Sequence, residues 1–374
     1  MPGRRSGQNL PEMTELPRSR PLFRPTDVYF ERRVRAYPLG AALLERYDQA
    51  CRPAGPDRPR VHYIETHNLV PELRGLPDEA FTRKKRVLVV GVRKSLRLVP
   101  NRLSADYIVP FTSSGCPAMC LYCYLTCTFF SNSYLRLFVN REEMWRVVER
   151  RVLRAHAEGE RGHEGGEPFF ELGSNSDMLV DESLTGNLSW AVERFARLPY
   201  GRATLATKFA CVEPLLGLDH RGRTRIRVSV NPPEIVRRVE IGTAPLAKRL
   251  EAARLLHEAG YEVGVNLAPV ILVEGWRHLY RELLVELADT FPASLKDGLY
   301  VEVIFMTYGL YTRELNRRAF PGLAVLDDLD RPEIMRPKGR GKLCYVQPER
   351  ARAEAWLREE LARTLPGARL SYIC

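Results

Sequence analysis

Ser114-Gly115-Cys116-Pro117-Ala118-Met119-Cys120-Leu121-Tyr122-Cys123-Tyr124 places three cysteines in a C-x3-C-x2-C spacing, with an aromatic residue just ahead of the third. A short loop with these spacings can bring three sulfurs round three corners of one cuboidal iron–sulfur cluster, which a regular helix or strand could not do. Three thiolates leave the fourth iron open to a small molecule. Zinc would require a repeated C-x2-C, or histidines at x3–5 spacing, and neither is present. Cys127, four residues on, leaves the count open. It is a fourth ligand of an ordinary electron-transfer cluster, a neighbour that never touches iron, or a redox partner thiol.

Outward from this loop, short apolar runs alternate with segments of helical period, the pattern of an α/β layer with parallel strands. Tyr107–Phe111 leads into the cysteines. Phe169–Leu172, Thr204–Thr207, Ile226–Val230, Val263–Leu267 and Leu299–Phe305 follow, making about six strands. Glu142–Ala157 sets Trp145, Val148, Val152 and Ala155 on one face, and Leu246–Glu258 does the same with Leu246, Leu250, Ala253 and Leu256. Pro245 and Gly260 punctuate the second helix. These counts fit a partial (β/α)6 barrel of the TIM type, with functional loops at the C-terminal ends of its strands. The expected organisation is a basic tail over 1–24, an N-terminal cap over 25–100, the barrel over 101–321 and a C-terminal extension over 322–374. The cap should hold a helix near Leu39–Ala50 and the strand-like run Arg86–Val92. The extension should hold a helix at Glu349–Thr364.

Composition bounds the rest. At 374 residues, 45% hydrophobic and 28% charged, the chain is an ordinary globule, not a fibrous or disordered one. No run of about 18 apolar residues suggests a membrane span. The Arg- and Pro-rich start lacks the apolar region of a signal peptide. Eight cysteines, several crowded into one loop, do not make a secreted disulfide framework and point to a reducing cytoplasm. A formal charge of +11 suits a polyanionic partner such as nucleic acid. Arg-rich composition also follows from genomic background, so charge alone does not decide the partner.

The cysteine motif resembles that of the radical S-adenosylmethionine enzymes. Further strings resemble the spore photoproduct lyase family within them: Leu121–Leu125, Ala206-Thr207-Lys208, Thr224–Asn231, Gly242-Thr243 with Leu246–Arg249, and Ala268-Pro269 with Glu274-Gly275-Trp276. They run in the family's order from about residue 25 to the C-terminus.

The resemblance implies Cys116, Cys120 and Cys123 as ligands of a [4Fe-4S] cluster. It implies Ser176, Lys208, Ser229 and Ala268 around S-adenosylmethionine, with a cationic amine for the methionine carboxylate and a backbone position beside the adenine. Tyr122 and Tyr124 match tyrosines of the cofactor region that take part in hydrogen transfer. The implied reaction is reductive cleavage of the sulfonium, hydrogen abstraction from the thymine dimer of damaged DNA, scission of its linking C–C bond and return of a hydrogen. The lesion must leave the stack to react. A flavodoxin or ferredoxin as electron donor, a monomeric state and no membrane complete the expectation.

Two departures fall on the substrate side. Ser174 stands where the lyases carry the cysteine that returns the hydrogen, and an alcohol O–H is a far poorer hydrogen-atom donor than a thiol S–H. Cys127, Cys344 or a tyrosine then takes the role, or the reaction differs. Arg336–Lys342 replaces an Arg-Tyr pair with Pro337 and Lys338. Lys338 and Arg340 remain candidates for substrate phosphate, and Asp177 is grouped with them. Asp177 is also a candidate acid–base partner of Glu171. The rival readings are radical chemistry on a peptide or RNA base, and a non-catalytic iron–sulfur carrier with four cysteine ligands.

Overall fold

The structure is a computed structural model that describes residues 16–17, 21–47, 58–68, 70–74, 76–125, 134–323, 326, 329, 333–339 and 341–374. Cys51, Cys127, Arg340 and most of the expected basic tail lie outside the described residues.

The main sheet has eight strands: β4 (Val99–Pro100), β5 (Tyr107–Ile108), β8 (Phe169–Glu171), β9 (Arg202–Thr207), β10 (Thr224–Val230), β11 (Glu262–Val270), β12 (Tyr300–Phe305) and β16 (Arg369–Ile373). Their spatial order is β16-β12-β11-β10-β9-β8-β5-β4, parallel throughout except for the β4–β5 pair. Runs such as Val-Ser-Val in β10 and Val-Gly-Val in β11 are covered on both faces, as parallel strands require. The sheet curls into a half barrel. Ser104, between β4 and β5, meets the Tyr372 hydroxyl of β16 at 2.8 Å, a side-chain contact that spans the open side of the sheet.

The six expected strands are all present. Helices Arg141–Glu158 and Leu246–Glu258 fall within a residue of expectation. The first buries Met144, Trp145, Val148, Val152 and Ala155 and ends on Gly159, whose φ of 61° lets its N–H turn back to the Ala155 and His156 carbonyls. Two features differ. The β9–β10 crossover carries only the 3-10 turn Glu213–Leu215 instead of an α-helix. The C-terminal residues do not merely pack on the barrel: after the helix Gln347–Thr364, β16 joins it as a further parallel strand beside β12.

A second sheet holds β1 (Asp27–Glu31), β2 (Arg60–Ile64), β3 (Val87–Gly91), β6 (Ser113–Ser114) and β7 (Leu135–Phe138), in the order β2-β1-β3-β7-β6. A third, small sheet holds β13 (Thr307–Gly309), β14 (Met335–Pro337) and β15 (Lys342–Tyr345). The boundaries expected at 100 and 321 are thus both crossed by strand pairing. The segment after the cysteine loop returns to the cap as β7, and β4 goes to the barrel. One continuous apolar core runs from Val28 and Leu88 of the cap to Val228, Val265 and Val303 of the barrel. Among the described residues no helix is long and apolar enough to cross a membrane.

Candidate active site

The cysteine loop leaves β6 through Gly115, whose φ is +85° and whose added Cβ would lie 2.2 Å from the Tyr134 carbonyl oxygen. Only glycine fits that turn. The loop is then fastened on three sides. Gly115 N–H donates to the Asn175 carbonyl at 2.8 Å, and Lys85 Nζ donates to the Cys116 carbonyl at 2.8 Å. Met119 and Leu121 N–H donate to the Ile241 and Val239 carbonyls at 2.8 and 2.9 Å. Ala118 and Leu121 are buried, so Cys116, Cys120 and Cys123 are held by a rigid backbone and remain half-exposed.

The three cysteines line one wall of a cavity of about 420 Å3 at the C-terminal mouth of the barrel strands. Burial pushes the Cys116 thiol up to about 12 and that of Cys120 well above its ordinary value. Coordination to a metal centre would compensate that cost by stabilising the thiolate. No three His, Cys, Asp or Glu side chains among the described residues converge closely enough to hold a single metal ion. Three thiols on one short loop are a donor set that suits a cluster in which each iron takes its own thiolate.

Around the same cavity, Ser174, Ser176 and Asp177 follow β8, Thr207 and Lys208 end β9, Ser229 lies on β10, and Asn266 and Ala268 lie on β11. Lys208 Nζ donates to the Ala268 carbonyl at 2.5 Å and lies 3.4 Å from Glu240 Oε1. An ammonium has three N–H donors, so one is left for the cavity. Ser176 shares a 2.7 Å hydrogen bond with Ser113, tying the β8 loop to the cysteine loop. The Tyr124 hydroxyl donates to the Ser174 carbonyl, a second tie between the same loops. Asp177 caps the helix Met178–Thr185 through Leu179 N–H and accepts from Thr207 Oγ1 at 2.9 Å and Lys208 N–H at 2.8 Å. Those donors make it a positioning residue for Lys208.

Sequence reasoning passed over Glu240. Its buried carboxylate accepts from Tyr122 and from Asn231 Nδ2 at 2.9 Å, pairs with Arg249 at 2.7 Å and faces Lys208. Burial alone would raise its carboxyl. The Lys208 and Arg249 charges and the two hydrogen bonds outweigh this and bring it down to about 2. Burial and the Glu240 carboxylate in turn raise the Tyr122 hydroxyl well above its ordinary value. The only local signal is that Glu240 stands between two apolar residues, Val239 and Ile241. At the cavity floor Arg227 joins Glu171 on β8 and Glu302 on β12, the latter at 2.9 Å, with Thr204 Oγ1 at 3.1 Å. Glu171 is thereby an ion-pair partner, and nothing pairs it with Asp177.

The remaining candidates stand outside the cavity wall. Cys344 is half-buried on β15, opposite Thr307, which lines the rim. Lys338 is exposed in the turn between β14 and β15.

The chain matches the family model described as spore photoproduct lyase over residues 23–374. It is 32% identical over 355 residues to a spore photoproduct lyase of Geobacillus sp. (strain Y412MC61), covering 94% of this chain and 98% of that one. It is 31% identical over 352 residues to that of Bacillus subtilis (strain 168), with the same coverage. Among solved structures, spore photoproduct lyase complexed with dinucleoside spore photoproduct superposes with a TM-score of 0.82 at 31% identity, covering 94% of this chain and 99% of that chain. A mutant of the lyase with bound AdoMet and dinucleoside spore photoproduct gives a TM-score of 0.83 at the same identity and coverage. With thiols, lysine and serines gathered on one barrel mouth and similarity running nearly end to end, the chain belongs to the spore photoproduct lyase family.

Proposed function

We propose that this protein is a radical S-adenosylmethionine lyase that opens the C–C bond joining two thymines in spore photoproduct or a related DNA base lesion. The observation that carries the reading is the shared cavity: the three thiols of one loop line it together with Ser176, Lys208, Ser229 and Ala268. Cys116, Cys120 and Cys123 would hold a [4Fe-4S] cluster. When bound, that cluster and S-adenosylmethionine supply the one-electron chemistry that removes hydrogen from carbon.

The protein's part is to bind, orient and shield. The uncommitted N–H of Lys208 is directed to the cofactor carboxylate, while Glu240 and the Ala268 carbonyl fix the ammonium. The hydroxyls of Ser176 and Ser229 meet polar groups of the same ligand. Tyr122, hydrogen-bonded to Glu240, keeps its proton, and Tyr124 closes the gap between the cysteine loop and the β8 loop. Ser174 lines the cavity with a hydroxyl that returns hydrogen to a carbon radical poorly. The return therefore falls to another group, Tyr124 being the hydroxyl bonded to Ser174 itself. The net charge of +11 supports contact with a DNA backbone, with Lys338 exposed in the turn between β14 and β15. A reducing cytoplasm, a monomeric state and a flavodoxin or ferredoxin as reductant complete the proposal. The six described cysteines are all free, in keeping with such a compartment.

Anaerobic reconstitution with iron and sulfide, reduction, and addition of S-adenosylmethionine with the dinucleoside photoproduct tests it. Formation of both 5′-deoxyadenosine and restored thymidines is expected. 5′-Deoxyadenosine alone would move the chemistry to another substrate, and neither product would favour an electron carrier.

A further inference from the structure

Asn266 sits in the middle of β11, in the run Val263-Gly264-Val265-Asn266-Leu267-Ala268, where its neighbours Val265 and Leu267 are fully buried. It is itself only 5% exposed, and it lines the cavity. Its carboxamide oxygen is buried and accepts no hydrogen bond. In the strand ladder it stands between Ser229 of β10 and Glu302 of β12. Glu302 is occupied, taking Arg227 at 2.9 Å and the Tyr300 hydroxyl at 3.2 Å. Two residues along the same face is Ala268, whose carbonyl holds Lys208. A buried carboxamide oxygen without a donor is costly, and its aliphatic neighbours along the strand offer it none.

We propose that the Asn266 carboxamide is a specificity-determining contact to a nucleoside held in this cavity, an inference that rests on the function proposed above. A primary amide offers an acceptor and two donors side by side. It therefore complements a group that shows a donor next to an acceptor. Two such groups belong to the proposed reaction: the vicinal hydroxyls of the cofactor's ribose, and the imide edge of a thymine. The Ser229 hydroxyl beside it widens the same polar edge. Below it the single Arg227 guanidinium is shared by the Glu171 and Glu302 carboxylates, whereas Asn266 itself is a neutral amide.

The test uses the reconstituted full-length protein and the variants Asn266→Leu, which fills the same space without polar atoms, and Asn266→Ala, which leaves room. Dissociation constants are measured for S-adenosylmethionine alone and for the dinucleoside photoproduct alone. Cluster content and urea unfolding are followed alongside. In both variants, one ligand is expected to bind roughly tenfold more weakly, the cost of a lost hydrogen-bonded contact, while the cluster content stays at the wild-type level. Weakened S-adenosylmethionine assigns the amide to the ribose, and weakened photoproduct assigns it to the thymine edge. Both affinities staying within twofold would mean that the amide only holds a water, and would overturn the proposal. Loss of cluster and of the folded state in both variants would make it a structural group and overturn it as well. A wild type that binds neither ligand would instead overturn the proposed function, and this inference with it.

Discussion

Replacing Glu240 by glutamine should destabilise the ligand-free protein by about 3 kcal/mol at pH 7. The carboxyl is brought from 4.5 to about 2 in the folded state, and a depression of that size is worth about 3 kcal/mol wherever the unfolded group is ionised. A cost of the same size follows from the partners whose charges produce that depression. Breaking a buried ion pair from one side costs roughly 3–5 kcal/mol, because Arg249, fully buried, would keep its charge and lose its anion. Because the folded carboxyl titrates lower than the unfolded one, the contribution is complete above about pH 5 and is lost as pH falls towards 2. The gap between wild type and Glu240→Gln should therefore be flat from pH 7 to pH 5 and shrink to about 2 kcal/mol near pH 3.5. Urea unfolding followed by tryptophan fluorescence at several pH values measures it. A gap under about 1 kcal/mol at pH 7, or one that does not change with acid, would refute the assignment of Glu240 as the charged hub beneath Lys208 and Tyr122.

Alanine at Cys116, Cys120 or Cys123 should each abolish the visible absorbance of a reconstituted iron–sulfur cluster, whereas Cys344→Ala, off the cavity wall, should leave it intact. Lys208→Ala should weaken S-adenosylmethionine binding by roughly 10- to 100-fold through loss of a charge-assisted hydrogen bond, read as a dissociation constant. Ser174→Cys should raise the yield of repaired product per 5′-deoxyadenosine formed, because a thiol then faces the cavity. An unchanged ratio would show that the hydrogen donor is already efficient. Arg227→Met should cost about 3–5 kcal/mol in urea unfolding, since it leaves Glu171 and Glu302 buried without their cation.

What could be read from the chain alone is what is encoded locally. The C-x3-C-x2-C spacing fixes how far three sulfurs can lie apart in one loop. The apolar runs and helical periods fix the succession of barrel strands and the helices Arg141–Glu158 and Leu246–Glu258, because burial on one face leaves its period in the sequence. Lys208 could be placed by its position at the end of a strand. What the tertiary structure alone decided is partnership across long separations. Arg249 lies on an amphipathic helix yet is fully buried, because its guanidinium reaches the Ser229 carbonyl, Thr243 Oγ1 and Glu240. Asp177 reads as a substrate group until Leu179, Thr207 and Lys208 are seen to occupy it. β7 returns to the cap and β16 extends the barrel sheet beside β12 because strand neighbours are chosen by which edge is open when the sheet curls, and no local pattern records that choice. For the same reason neither Glu240 nor Asn266 is legible in the sequence: a polar residue between apolar neighbours shows that something must meet it, and only the folded chain shows what.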